Sequence, residues 1–284
     1  MRARAPASTS NLGPGFDVLG LALALYVEVT VAPADALVVA ASGEGRHYPA
    51  DATHLAARVV SSVLGHERFS VMVRSEIPPG RGLGSSAALA VAAAAAAGAR
   101  DPLAVAAGFD GHGENAAASL LGGLVAATFV DGAVVTRRLL LDPGIEFVVL
   151  VPDRSLETKT ARALLPDSVP FADAVFNLGR LGLLVAGLAD RAALVGAAGD
   201  DRLHQDRRSS LYPEAPELLR RLRDAGAALS CWSGAGPSLV GICTSAAAAL
   251  AVREAGEEAL AAVGLSGTAL SLRPDLEGLV VTES

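Results

Sequence analysis

Residues 21–31 (LALALYVEVTV) place Leu21, Leu23, Leu25, Val27, Val29 and Val31 at every second position, between smaller or polar residues. A period of two puts them on one face and predicts a strand with that face buried. Residues 37–41 (LVVAA) and 69–74 (FSVMVR) predict further strands. Over 53–64 the period lengthens, and Leu55, Val59, Val60 and Leu64 fall on one helical stripe. Apolar runs at 124–130 and 133–139 flank Asp131-Gly132, which predicts a hairpin. Residues 146–151 read as a buried strand ended by Pro152.

The second half changes rhythm. Helical spacing covers 171–189, 214–225 and 246–262, and strand patterns cover 227–231, 238–243, 268–272 and 278–282. Strands and helices mix without strict βαβ order, which predicts an α+β fold and not a doubly wound sheet. A boundary near residue 150 divides the chain into 1–150 and 151–284.

Composition narrows the function classes. Of 284 residues 51% are hydrophobic, 19% charged and 4% aromatic, so the chain is a folded one with a core of Ala, Val and Leu. A net charge of −7 excludes a general nucleic-acid or anionic-membrane surface, though not a local basic pocket. Mean hydropathy is +0.43, yet the longest apolar run, 87–99, is 13 residues and mostly Ala. A membrane span needs about 20 residues of stronger hydrophobicity, so none is expected. The charged start MRARAPASTSNLGPG has no apolar stretch behind it, and no signal peptide is expected. Cys231 and Cys243 have no metal spacing and read as reduced thiols of a cytoplasmic protein.

The chemistry begins at Pro78-Pro79-Gly80-Arg81-Gly82-Leu83-Gly84-Ser85-Ser86, which opens into the Ala-rich run. Alternating glycines let a backbone approach a ligand closely. Ser85 and Ser86 stand where N-cap residues belong, ahead of the unpaired amides and positive end of a helix. That combination predicts a phosphate cradle. No GxxxxGK[ST] string exists, which excludes a Walker loop. Gly82-Leu83-Gly84-Ser85-Ser86-Ala87 satisfies GxGxx[GA], with Asp101 at a suitable distance. No strand separates that helix from Asp101, so the dinucleotide reading is set aside.

Three segments together resemble the GHMP small-molecule kinases. Pro6-Ala7-Ser8-Thr9-Ser10-Asn11-Leu12-Gly13-Pro14-Gly15-Phe16-Asp17 is similar to their motif one. Pro78 to Ala88 is similar to their phosphate motif PxxxGLGSSAA, and Ser233-Gly234-Ala235-Gly236-Pro237-Ser238 to their glycine-rich motif three. Within the superfamily the likeness is greatest to the homoserine kinases. Gly111-His112-Gly113-Glu114-Asn115 with Leu120-Leu121-Gly122-Gly123 resembles GHPDN…LLGG. Thr158 to Pro166 resembles TxxARxxLP, and Asp201-Arg202-Leu203-His204-Gln205 with Arg208 resembles DRLHQxxR.

The resemblance implies a two-lobed α+β fold. Its N-terminal half would carry the phosphate loop in a left-handed βαβ unit, and its C-terminal half would be ferredoxin-like. It implies ATP as co-substrate, Mg²⁺, L-homoserine as acceptor, a place in threonine biosynthesis, and pairing as a homodimer. By position, Pro79, Gly80, Arg81, Gly82, Leu83, Gly84, Ser85, Ser86 and Ala87 would hold ATP, with His54 near the nucleotide. Arg162 and Arg208 would bind the substrate carboxylate, where a planar fork suits the task. Asp17 would bind its ammonium group. Asn11, His112, Thr158 and Gly236 would be further substrate contacts, and Ser86 and Asp110 the metal ligands.

The chain also departs from the pattern. GHPDN has become GHGEN, Gly108 stands where some relatives carry Glu, and an adenine-region Asn is replaced within Thr53-His54-Leu55. No general base is assigned; Glu114 and His112 are the alternatives to catalysis without one. Two other readings remain: a GHMP kinase for another small alcohol, and a catalytically weak nucleotide or amino-acid sensor.

Overall fold

A computed structural model describes residues 1–283 apart from His112 and the side chain of Asp110. The first half is built on a seven-stranded sheet. Its strands are β1 (Arg2–Asn11), β2 (Gly15–Pro33), β3 (Val38–Gly43), β4 (Phe69–Ser75), β5 (Leu124–Val130), β6 (Ala133–Arg138) and a C-terminal strand, Val280–Thr282. Strands β3 and β4 are parallel neighbours joined through helix α1 (Leu55–Leu64), and so form the βαβ unit. Helices α2 (Ser85–Ala96), α3 (Pro102–Asp110) and α4 (Gly113–Leu121) follow.

Helix α2 has no polar face. Ala87, Ala88 and every residue from Ala90 to Ala96 are buried, because α1, α3, α4, β1 and β2 all pack around it. Alanine suits this place twice over: it favours the helix, and its small side chain lets neighbours approach. The phosphate loop is thereby fixed at the N-terminal end of a helix buried along most of its length.

The second half holds a four-stranded antiparallel sheet of β7 (Glu146–Pro152), β8 (Leu229–Trp232), β9 (Leu239–Cys243) and β10 (Gly267–Leu272). The spatial order β10-β7-β9-β8 is fourth-first-third-second in chain order, which is the ferredoxin-like arrangement. Its helices are α5 (Thr158–Arg162), α6 (Phe171–Ala189), α7 (Gln205–Arg208), α8 (Ala215–Asp224) and α9 (Ala246–Ala262). The strand expected at 278–282 is shorter, Val280–Thr282, and is here β11. It leaves the second half to pair with β1, so the chain's end completes the first sheet.

Helix α6 is long and apolar enough to cross a membrane by length and composition, with a mean hydropathy of 1.4. Asp173, Asn177 and Arg180 interrupt its apolar run. Those polar groups have partners in the segment after α6. Asp173 pairs with Arg202, and Asn177 donates to Asp201 at 2.7 Å.

Candidate active site

Motif one is a strained turn between β1 and β2. Asn11, Leu12 and Asp17 have φ of 72°, 48° and 55°, a region that side chains other than glycine's occupy at a cost. The amide of Asn11 holds the turn. Its Oδ1 accepts from the Asp17 N–H at 3.0 Å, and its Nδ2 donates to the Gly234 carbonyl at 2.9 Å. One side chain thus ties motif one to motif three.

The phosphate loop rests on both motifs. Ser8 donates its N–H to Leu83 O at 3.1 Å, and Ser233 donates its hydroxyl to Gly82 O at 2.6 Å. Gly82 has φ +75°, and a Cβ there would stand 2.2 Å from Ser233 O and 2.9 Å from Gly236 O. Only glycine allows this approach. The sequence suggested Ser85 and Ser86 as caps, but the cap is Gly84, at φ 63° and without a side-chain bond. Ser85 and Ser86 are instead the first helical residues. The opening amides of α2 therefore face the hollow without a side-chain acceptor, which suits an anion better than a capped end.

The hollow is lined by Ser10, Asn11, Asp17, Gly80, Gly82 to Ala87, Glu114, Asn115, Leu156, Thr158, Arg162, Arg208, Gly234 and Ala235. It brings together most of the expected residues. Thr158 and Arg162 lie one turn apart on α5 and so share a face. Four expected residues lie outside the lining. His54 caps α1, its Nδ1 accepting from Ala56 N at 3.2 Å. Arg81 donates to the Pro152 carbonyl, bracing the loop against the second half. Pro79 lies one residue before the lining begins. Gly236 backs Gly82, and a Cβ on it would meet the Trp232 ring at 2.6 Å. His112 and the Asp110 side chain fall outside the described residues.

Two guanidinium groups gather at one end. Arg162 and Arg208 each lie 5.4 Å from the Phe16 ring centre. Arg162 is ion-paired with Asp17, both side chains being about one third exposed. Arg208 is only 2% exposed. Burial, with Arg162 nearby, lowers its pKa to about 10. Its Nη1 donates to Gly234 O at 2.8 Å and to His204 Nδ1 at 3.1 Å, while its buried Nε has no partner among the described residues. A buried cation with an unused donor, beside a second cation, calls for a carboxylate-sized anion.

The sequence reading assigned no site role to Asn115, Phe16 or His204, and named Glu114 only as an alternative base. Glu114 is 3% exposed and takes a 3.0 Å bond from Asn115 Nδ2, which also donates to Ser10 Oγ at 3.0 Å. The signal was the GHGEN string itself, where Glu replaces the Asp of the resembled pattern.

Burial pushes His204 down to about 4, against the pull of Asp201. Burial would raise Asp201, but its neighbours outweigh that and hold it below the usual carboxylate range. The imidazolium that His204 becomes at low pH does the largest share of this, with the Gln205 amide, Asn177 and the His204 amide adding to it. The unfolded chain binds a proton at such a histidine near pH 6.5, whereas the fold resists until about pH 4. Stability should therefore fall as pH drops through that window, with Asp201 adding loss of the same sign below it. Denaturant midpoints at pH 7.5 and 4.5 check this, and equal midpoints would contradict it.

Comparison with known proteins places the chain in a family. The GHMP kinases N terminal domain matches residues 50–123, and GHMP kinases C terminal matches residues 180–262. The chain belongs to the GHMP kinases, phosphotransferases that act on small alcohols with ATP. Within them it is similar to homoserine kinases over nearly its whole length. It is 41% identical over 260 residues to the homoserine kinase of Leifsonia xyli subsp. xyli, covering 85% of this chain and 80% of that one. It is 37% identical over 296 residues to that of Desulfitobacterium hafniense, covering 99% of both. The crystal structure of homoserine kinase from Cytophaga hutchinsonii superposes with a TM-score of 0.87 at 27% identity, covering 99% of this chain and 97% of that one.

Proposed function

We propose that this protein transfers the γ-phosphoryl group of ATP to the side-chain hydroxyl of L-homoserine, giving O-phospho-L-homoserine and ADP. The observation that carries the reading is the pairing of an uncapped helix end with the Arg162, Arg208 and Asp17 set in one hollow. The amides around Gly82, Gly84, Ser85 and Ser86 would take the phosphates. A zwitterion would enter the Arg162–Asp17 pair, its ammonium group on Asp17 and its carboxylate across Arg162 and Arg208. Opening that pair costs little, about 1 kcal/mol or less, because both members are partly exposed. Thr158 and Asn11 lie beside the same space and would orient the hydroxyl-bearing arm.

Magnesium fits the donors present. Ser86 and Glu114 line the hollow and would supply oxygen ligands, and Mg²⁺ takes few protein ligands beside phosphates and water. Asp110 remains a proposed further ligand. The ion would neutralise phosphate charge, and positioning supplies most of the rest in phosphoryl transfer. The hydroxyl proton is assigned to no residue. Glu114→Gln should weaken Mn²⁺ binding, read by electron paramagnetic resonance with ATP present, by about tenfold or more; unchanged binding would remove Glu114 from the metal site.

ADP release on mixing the protein with ATP, Mg²⁺ and L-homoserine tests the reading. Turnover only with mevalonate or a sugar would point to a sibling kinase. Binding of both ligands without turnover would point to a sensor.

A further inference from the structure

Arg208 reaches the hollow with half of its guanidinium already committed. Both hydrogens of Nη1 are used, one on Gly234 O at 2.8 Å and one on His204 Nδ1 at 3.1 Å. The edge made by Nε and Nη2 is the one left for a bidentate carboxylate, and Nε lacks any partner among the described residues. His204 decides which edge this is. Its Nε2 lies 2.8 Å from the Gly13 carbonyl, which can only accept. The proton therefore sits on Nε2, and Nδ1 is left as the acceptor that Arg208 requires.

The imidazole is itself locked. Its side chain has 0% exposure. The ring stacks on Phe16 at 4.9 Å between centres, and Asp201 takes its backbone N–H at 2.9 Å. The bonds close a ring. Asn11 and Arg208 meet on Gly234 O, Arg208 meets His204, and His204 returns to Gly13, two residues from Asn11. Asp17 hangs from the same turn through Asn11.

We propose that His204 is a positioning residue for substrate recognition: it turns Arg208 so that its Nε–Nη2 edge meets the amino-acid carboxylate, at a distance set from the motif-one turn that carries Asp17. This rests on the homoserine reading above. His204 touches no reacting atom; it acts through Arg208 and Gly13.

Steady-state kinetics of His204→Leu, His204→Asn, Arg208→Ala and the His204→Leu/Arg208→Ala double variant test it. Leucine keeps volume and removes both bonds, whereas asparagine restores an acceptor near the Nδ1 position. His204→Leu should raise KM for L-homoserine about ten- to hundredfold, the loss expected when one partner of a charged hydrogen bond is removed. Its kcat and its KM for ATP should stay within about threefold. His204→Asn should recover most of the KM. The double variant should be no worse than Arg208→Ala alone, because the two residues act as a unit. An unchanged homoserine KM in His204→Leu, an equal rise in the ATP KM, or multiplied effects in the double variant would each overturn the proposal. So would loss of ATP binding in both His204 variants, which would make the residue one of the general fold. A wild-type protein that leaves L-homoserine unphosphorylated fails the functional reading itself, and is recognised before any variant is made.

Discussion

Gly82→Ala should lose ATP affinity by about a hundredfold or more, the scale seen when a preorganised donor is taken from a developing or bound anion. The cause is steric and local. The new Cβ would stand 2.2 Å from Ser233 O, 2.9 Å from Gly236 O and 3.0 Å from Gly236 N. All three are backbone atoms, so no side chain can swing away. The left-handed φ of +75° adds about 1–2 kcal/mol of its own. The loop must lift off motif three, carrying its amides away from the phosphates. The β1 and β2 core lies outside the clash, so the variant should remain folded. Calorimetric titration with a non-hydrolysable ATP analogue reads the effect, and unchanged affinity would show that the cradle lies elsewhere.

Arg208→Ala should lower kcat/KM for L-homoserine by about 2–5 kcal/mol, the cost of deleting one member of a buried charge pair, and the loss should appear in KM. The substitution removes the Nε–Nη2 edge from the carboxylate. It also leaves His204 Nδ1 without its donor and Gly234 O with Asn11 alone. Lysine should rescue poorly, since an ammonium cannot span two carboxylate oxygens and also hold Nδ1. Arg162→Ala should act in the same direction but less, because its side chain is 35% exposed against 2% for Arg208 as a whole. A wild-type KM in Arg208→Ala would remove the residue from the substrate site.

The parts of the fold legible in the sequence are those where side-chain size reports burial. The 124–139 hairpin announced itself through Asp131-Gly132, both at positive φ in the structure. Helices α6 and α9 fall on the spans that the helical spacing marked. Strand β1 was silent because its inward residues are Ala3, Ala5 and Ala7 and its end is Ser8-Thr9-Ser10, small or polar residues that carry no apolar rhythm. The return of β11 to the first sheet was unreadable for another reason: pairing with a strand over 270 residues earlier leaves no local mark.

At the site, the glycine loop and the two arginines were visible as motifs. The geometry that joins them was not. Asn11 was read as a substrate contact, and its amide also ties Asp17 to Gly234. The serines were read as caps, and a left-handed glycine caps the helix instead. His204 is distinguished by its two ring bonds, one of which reaches a turn almost two hundred residues away.

A crystal structure of the protein with a non-hydrolysable ATP analogue, Mg²⁺ and L-homoserine tests the central claim most directly. It should show the triphosphate against the amides of residues 82–87, the carboxylate between Arg162 and Arg208, and the hydroxyl facing the γ-phosphate. A nucleotide or an amino acid bound outside that hollow would contradict the account.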